Sequence, residues 1–212
     1  MAYGYAIECD VQLSADGEAV VFHDGSVDRM MEGTGRVADS SVRTLKSLAY
    51  RDGSDRMQTL SELLMQVRGL VPLIVEIKSL WDGNMGLAQR VLDVVEHYDG
   101  PLALMSFDPD VVADLAINGE RHVRGIVADR VHDPYYAPLS IARRLELRRF
   151  SHLARTQPHF VSFDQAGLPF TPVQQIRTQG FPVIAWTITS EEEASRARRY
   201  CDQITFEEFL PA

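Results

Sequence analysis

The chain has 212 residues, 45% hydrophobic and 24% charged, a balance that suits one soluble globular domain with a substantial core. Its formal net charge of −9 argues against non-specific nucleic-acid binding and against a membrane-surface role, both of which favour basic patches. Two cysteines are too few for a disulfide framework, no basic–hydrophobic signal region opens the chain, and no apolar run reaches membrane-spanning length. These features read as a single domain over residues 1–212, cytoplasmic and without stable membrane insertion.

Ala6 to Gln12 has strand composition, broken by two acids two positions apart. Side chains alternate along a strand, so Glu8 and Asp10 share one face while Ile7, Cys9 and Val11 share the other. Neighbouring carboxylates on a buried strand repel, so the pair needs a cation between them or a wet cleft around them. A solvated edge strand with an acidic polar face is the plainer alternative. Cys9 reads as packing. Leu13 to Glu18 is a turn that returns through Ala19 to Phe22, and residues 24–58, polar and glycine-punctuated, read as an insertion rather than a packed layer.

Thr59-Leu60-Ser61-Glu62 opens a helix by the capping-box pattern, with Leu60, Leu63, Leu64 and Val67 on one face. A strand over 72–78 follows and again carries charges at alternate positions, Glu76 and Lys78. A helix is expected from about Gly86 to Tyr98, then a strand over 102–107. Asp108-Pro109 is an N-cap with proline at the first helical position. After an apolar run at 123–128, a long amphipathic helix is expected from Ile141 to about Arg155, its arginines on a solvated face. A strand at 160–163 precedes a helix begun by Thr171-Pro172 and ended by Gly180. A strand ending at Ile188 leads to a helix with Glu191 to Glu193 at its start and Arg196, Arg198 and Arg199 at its end, matching the helix dipole. Residues 203–206 form a last strand.

Strands alternating with helices indicate a parallel sheet covered by helices, an α/β protein. The seven main strands fall one short of an eight-stranded barrel, and no glycine-rich phosphate loop follows the first strand as an open doubly wound sheet would favour. The expectation is a (β/α)8 TIM-type barrel missing its first β/α unit. Its functional groups should then gather at the carboxyl ends of the strands. Three carboxylates, Glu8, Asp10 and Glu76, converging on one cavity suit Mg²⁺ or Ca²⁺ rather than zinc, because no cysteine or paired histidine accompanies them. Lys78 adds positive charge useful for a phosphate. His23 ends an apolar strand beside Asp24 and can protonate a leaving oxygen near neutral pH; a hydrogen-bonded structural histidine is the alternative. His132 is a weaker candidate; His97 and His122 read as surface residues, His159 lies at the amino end of its strand, and His152 falls on the basic helix.

The ordered set Ile7-Glu8-Cys9-Asp10-Val11, Asp16-Gly17, Val20-Val21-Phe22-His23-Asp24, Val27-Asp28-Arg29 and Gly33-Thr34-Gly35 resembles the glycerophosphodiester phosphodiesterase family. Thr59-Leu60-Ser61-Glu62-Leu63-Leu64, Val75-Glu76-Ile77-Lys78, Ser106-Phe107-Asp108 and Ala185-Trp186-Thr187-Ile188 extend the resemblance over nearly the whole chain. It implies a (β/α)8 barrel, with 13–58 as the family's hairpin and insertion after the second strand. It also implies hydrolysis of small-molecule glycerophosphodiesters to sn-glycerol 3-phosphate and an alcohol. By that match Glu8, Asp10 and Glu76 hold the divalent ion, His23 is one of two acid/base histidines, and Lys78 contacts phosphate. Phe107 and Trp186 line the apolar side of the pocket or are simply core.

The family's opening strand with His-Arg-Gly has no counterpart in Met1 to Tyr5, and Thr205-Phe206-Glu207-Glu208 replaces a Thr-Asp and proline. Turnover by this chain is therefore expected to be impaired, and open strand edges could support a homo-oligomer. The alternative functions are a non-catalytic phosphoglycerol- or metal-binding barrel and, in a third class, a barrel enzyme of enolate chemistry.

Overall fold

The computed structural model describes residues 3–132 and 134–211. Contacts group the chain into two compact units, Met1–Leu104 and Met105–Ala212. The first contains β1 (Ile7–Leu13), β2 (Ala19–Val21), a 3-10 turn (Val37–Asp39), α1 (Val42–Ser47), α2 (Leu60–Val67), β3 (Leu73–Ile77), α3 (Gly86–Val95) and most of β4 (Leu102–Ser106). The second contains α4 (Pro109–Asn118), β5 (Val123–Ala128), a 3-10 turn (Pro134–Tyr136), α5 (Ile141–Arg149), α6 (Leu153–Thr156) and β6 (Phe160–Asp164). A 3-10 turn (Gln165–Gly167), α7 (Thr171–Thr178), β7 (Val183–Ile188), α8 (Glu191–Ala197) and β8 (Gln203–Phe206) complete it. All seven main strands expected from the sequence form, and the eighth, β2, is the return arm of the predicted turn.

In the first unit the strand order is β2-β1-β3-β4. β1 runs antiparallel to β2, Val11 facing Val21, and parallel to β3, Asp10 facing Glu76. The β1–β2 turn is held by the Ser14 hydroxyl, which donates to Asp16 at 2.7 Å and accepts from the Glu18 amide at 3.0 Å. Gly17 there takes a left-handed φ of 81°, which a side chain would resist. One face of β1 and β3 buries Cys9, Val11, Val75 and Ile77. Each such aliphatic residue contributes about 1.5–3 kcal/mol by leaving water. The opposite face of β1 carries Glu8 and Asp10, as alternation requires. α2 begins as predicted: the Thr59 hydroxyl accepts from the Glu62 amide and the Glu62 carboxylate accepts from the Thr59 amide. It stops at Arg68, which is left-handed at φ 48°.

Residues 24–58 depart from expectation. Val27, Met31, Val37, Leu45 and Met57 bury themselves with Val20 and Phe22 in a core of their own, with Met30, Val42, Leu48 and Tyr50 packed against it. The stretch is therefore packed. Its apolar residues follow neither helical nor strand period, so patterning did not reveal the cluster.

In the second unit the order is β5-β6-β7-β8, all parallel. Val161, Phe163, Val183, Ala185 and Ile188 from the strands meet Val112, Val173, Ile176, Ala194 and Ala197 from the helices in one core. The single long helix expected over 141–155 is two. α5 stops at Phe150, left-handed at φ 56°, and α6 begins at Leu153. The buried Phe150 ring lies 6.4 Å from Phe163, so tertiary packing, rather than glycine or proline, holds this break. The arginines are not uniformly solvated either. Arg143 reaches the buried Asp108 at 3.0 Å, Asp110 at 2.8 Å and Glu146 at 2.7 Å, and Arg155 reaches Asp110 at 2.7 Å. His152, expected on the basic helix, sits in the turn and is buried.

Candidate active site

Glu8 and Asp10 come from β1 and Glu76 from β3, on the shared register just given. One carboxylate oxygen from each lies within 4.8 Å of the other two. Lys78 follows Glu76 by two positions, and its backbone amide donates to the Val11 carbonyl at 3.2 Å. Its Nζ then reaches Glu76 Oε1 at 2.6 Å and Asp10 Oδ1 at 2.7 Å. The structure thus brings together all four charged residues singled out on these two strands.

Three acids with one ammonium are short of positive charge. Burial, then Asp10 and Glu76, pushes the Glu8 carboxyl up to about 8, against the pull of Lys78. Burial also raises Glu76, while Lys78 works in the other direction. Burial alone would lower the Lys78 ammonium, but Glu76 and Asp10 outweigh it and hold it above its ordinary range. Cys9, on the other face of β1, is buried and pushed up by that burial and by Glu8 and Asp10, so it is an inert packing thiol. The three oxygens offer a hard, all-oxygen donor set with a charge deficit, a combination that fits a Mg²⁺ or Ca²⁺ ion.

His23 lies two residues beyond β2. The Phe22 amide donates to the Asp10 carbonyl at 2.9 Å, and Gln12 Nε2 donates to the His23 carbonyl at 2.9 Å, tying this loop to β1. The ring is exposed, with Nδ1 2.7 Å from Asp24 Oδ1. Asp24 in turn accepts from Arg29 Nε at 2.7 Å and from the second guanidinium nitrogen at 2.8 Å. Arg29, chiefly, and His23 hold the Asp24 carboxyl down at about 2, against its partial burial. With Nδ1 engaged, Nε2 is the nitrogen left to exchange a proton. The Asp24–Arg29 fork was missed in the sequence, although Asp24 and Arg29 both fall inside quoted motifs.

Phe107 and Trp186 belong to the second unit. Their rings meet edge to face at 5.7 Å, and Tyr135 meets Phe107 at 5.9 Å. Trp186 Nε1 is buried and has no hydrogen-bond partner among the described residues. Phe107 also lines a small cavity with Ile126, Ala128, Tyr136, Leu147 and His152. Burial holds the His152 imidazole down at about 4. His132 and His97 are exposed, and the His159 Nδ1 accepts from the Arg124 amide at 3.1 Å.

A profile of the Glycerophosphoryl diester phosphodiesterase family matches residues 2–202. Protein YhdW of Bacillus subtilis (strain 168) is 23% identical over 202 residues, covering 90% of this chain and 76% of that protein. A glycerophosphodiester phosphodiesterase from Caldanaerobacter subterraneus subsp. tengcongensis is 32% identical over 100 residues, 44% of this chain and 41% of that enzyme. Among solved structures, an Oleispira antarctica phosphodiesterase in complex with the product sn-glycerol-3-phosphate superposes with a TM-score of 0.79 at 20% identity. That match covers 95% of this chain and 80% of the other. The Thermotoga maritima glycerophosphodiester phosphodiesterase gives 0.70 at 24% identity, over 94% and 80%. These likenesses give the fold as that of the TIM-type phosphodiesterases. The chain belongs to the glycerophosphoryl diester phosphodiesterase family, and is a phosphodiesterase hydrolase of glycerophosphodiesters.

Proposed function

We propose that the acidic cluster holds a single divalent cation, Mg²⁺ or Ca²⁺, and that hydrolysis yields sn-glycerol 3-phosphate and an alcohol. One observation carries this reading: three carboxylate oxygens within 4.8 Å of one another, left short of positive charge by a single lysine. Glu8, Asp10 and Glu76 would hold the ion, which when bound draws negative charge from the phosphate oxygens. Lys78, poised between Asp10 and Glu76, turns its ammonium to a phosphate oxygen. His23 moves a proton at Nε2, with Asp24 fixing the ring. Phe107 and Trp186 are proposed substrate contacts, supported by their motifs and by the unpartnered indole N–H of Trp186. A cytoplasmic setting is supported by two free, buried cysteines. Self-association through strand edges is read by light scattering of the purified chain.

A second reading, a non-catalytic phosphoglycerol- or metal-binding protein, is favoured by one specific observation. The motifs that carry the resemblance supply one acid/base histidine, His23, whereas the resemblance implies a pair. For a polypeptide of residues 1–212 we therefore propose turnover reduced by about 10²–10⁴-fold, the usual worth of one acid–base group. Hydrolysis of glycerophosphocholine, with Mg²⁺, with Ca²⁺ and after chelation, tests both readings. Cation binding without any turnover supports the second; cation-dependent product release supports the first.

A further inference from the structure

The outward face of α5 is unlike the rest of this acidic chain. Arg143, Glu146, Leu147 and, at its end, Phe150 turn inward: Leu147 and Phe150 are buried, and Arg143 and Glu146 are joined in the ion-pair cluster with Asp108, Asp110 and Arg155. Helical spacing then places Ile141, Leu145, Arg148 and Arg149 together on the opposite side, at i, i+4, i+7 and i+8. All four are exposed, Ile141 at 71% and Leu145 at 42%. Arg144 flanks them, half-buried. None of Arg144, Arg148 and Arg149 has an acidic partner among the described residues, in contrast to Arg143 and Arg155 on the inward side.

We propose that this face of α5 is a docking surface for an anionic lipid bilayer. Charge complementarity supplies the argument. Three unpaired guanidinium groups suit anionic headgroups, and two aliphatic side chains interleaved with them suit the acyl boundary beneath. A nucleic acid would use the arginines and leave Ile141 and Leu145 uncovered, with no exposed aromatic ring on this face to stack its bases. The global charge of −9 opposes approach, but a local patch governs contact within a Debye length, so binding is orientation-specific and salt-sensitive. A glycerophosphodiester is the headgroup portion of a phospholipid stripped of its acyl chains. Docking would place the hydrolase at the surface where such molecules are released.

The test is co-sedimentation of the whole chain with phosphatidylcholine vesicles, with and without about one-third phosphatidylglycerol. Binding to the anionic vesicles alone is expected, weakening as salt rises from about 0.05 to about 0.5 M. The triple variant Arg144→Gln/Arg148→Gln/Arg149→Gln should lose about 10²-fold in affinity. Ile141→Ser/Leu145→Ser should lose about tenfold or more. Both variants should keep wild-type circular dichroism and hydrolysis of soluble substrate. Equal binding of the triple variant, equal binding to neutral vesicles, or no binding at low salt would each overturn the proposal. So would an arginine-dependent affinity for single-stranded nucleic acid that ignores Ile141 and Leu145, or a dimer in solution that the triple variant abolishes.

Discussion

Glu76→Gln separates a cation site from a merely acidic patch. The substitution keeps the shape of the side chain but leaves Glu8 and Asp10 as the only carboxylates, with Lys78 still 2.7 Å from Asp10. A unit charge pair about 4 Å apart is worth about 4 kcal/mol at an effective dielectric constant near 20, and a divalent cation doubles it. Solvent screening, the cation's own desolvation and relief of the carboxylate repulsion offset most of that, and at about 1.4 kcal/mol per tenfold the expected loss of cation affinity is about 10²-fold. The assay is the cation-dependent shift in melting temperature. With the cation at about 100 times the wild-type dissociation constant, binding stabilises by about 2.7 kcal/mol, or about 5–10 °C in a chain of this size. At the same concentration the variant should gain about 0.4 kcal/mol, or about 1 °C. The shift is the quantity to compare, because removing a repelling carboxylate can raise the melting temperature of the cation-free protein. A variant that is folded by circular dichroism and shifts as far as wild type would refute the three-acid site.

His23→Ala should lower kcat by about 10²–10⁴-fold while leaving the cation-dependent melting shift intact; loss of that shift would assign His23 to the cation instead. The buried His152 gives a pH dependence. Its imidazole is held at about 4 against an ordinary 6.5, so between these values the unfolded chain takes up a proton that the folded chain refuses. Stability therefore falls as pH drops through this window, by about 3 kcal/mol at most, and urea denaturation of His152→Gln should show a correspondingly flatter profile from pH 7 to pH 4. Gly125 faces Phe160 across the β5–β6 pair, and a Cβ built there would lie 2.3 Å from the ring. Gly125→Ala should cost about 1–3 kcal/mol through that clash, read as a lower urea midpoint, and Phe160→Leu should recover part of it.

The strands were legible because each is a short apolar run bounded by turns, and the acid pair on β1 stood out because strand alternation puts Glu8 and Asp10 on one side. Register was not legible. Only the β1–β3 pairing, with Asp10 beside Glu76, brings the third carboxylate and Lys78 into the same cluster. The capping box at Thr59 and the Asp108 cap were readable because both are local chemistry: the side chain bonds an amide two or three residues on. The break after α5 was not, since Phe150 takes a left-handed conformation that its own propensity disfavours and packing on Phe163 compels. Residues 24–58 hid their core for a related reason: Val27, Met31, Val37, Leu45 and Met57 meet only once the loops have closed. The Asp24–Arg29 fork spans five residues of loop, a spacing that no helix or strand period marks.

The most direct test follows the phosphorus itself. ³¹P spectra of glycerophosphocholine incubated with the chelator-treated chain, before and after Mg²⁺ or Ca²⁺ is returned, report product and cation requirement together. The account predicts slow release of sn-glycerol 3-phosphate that appears only with the cation and is lost in Asp10→Asn. Release indifferent to the chelator, or none at any cation concentration, would contradict it.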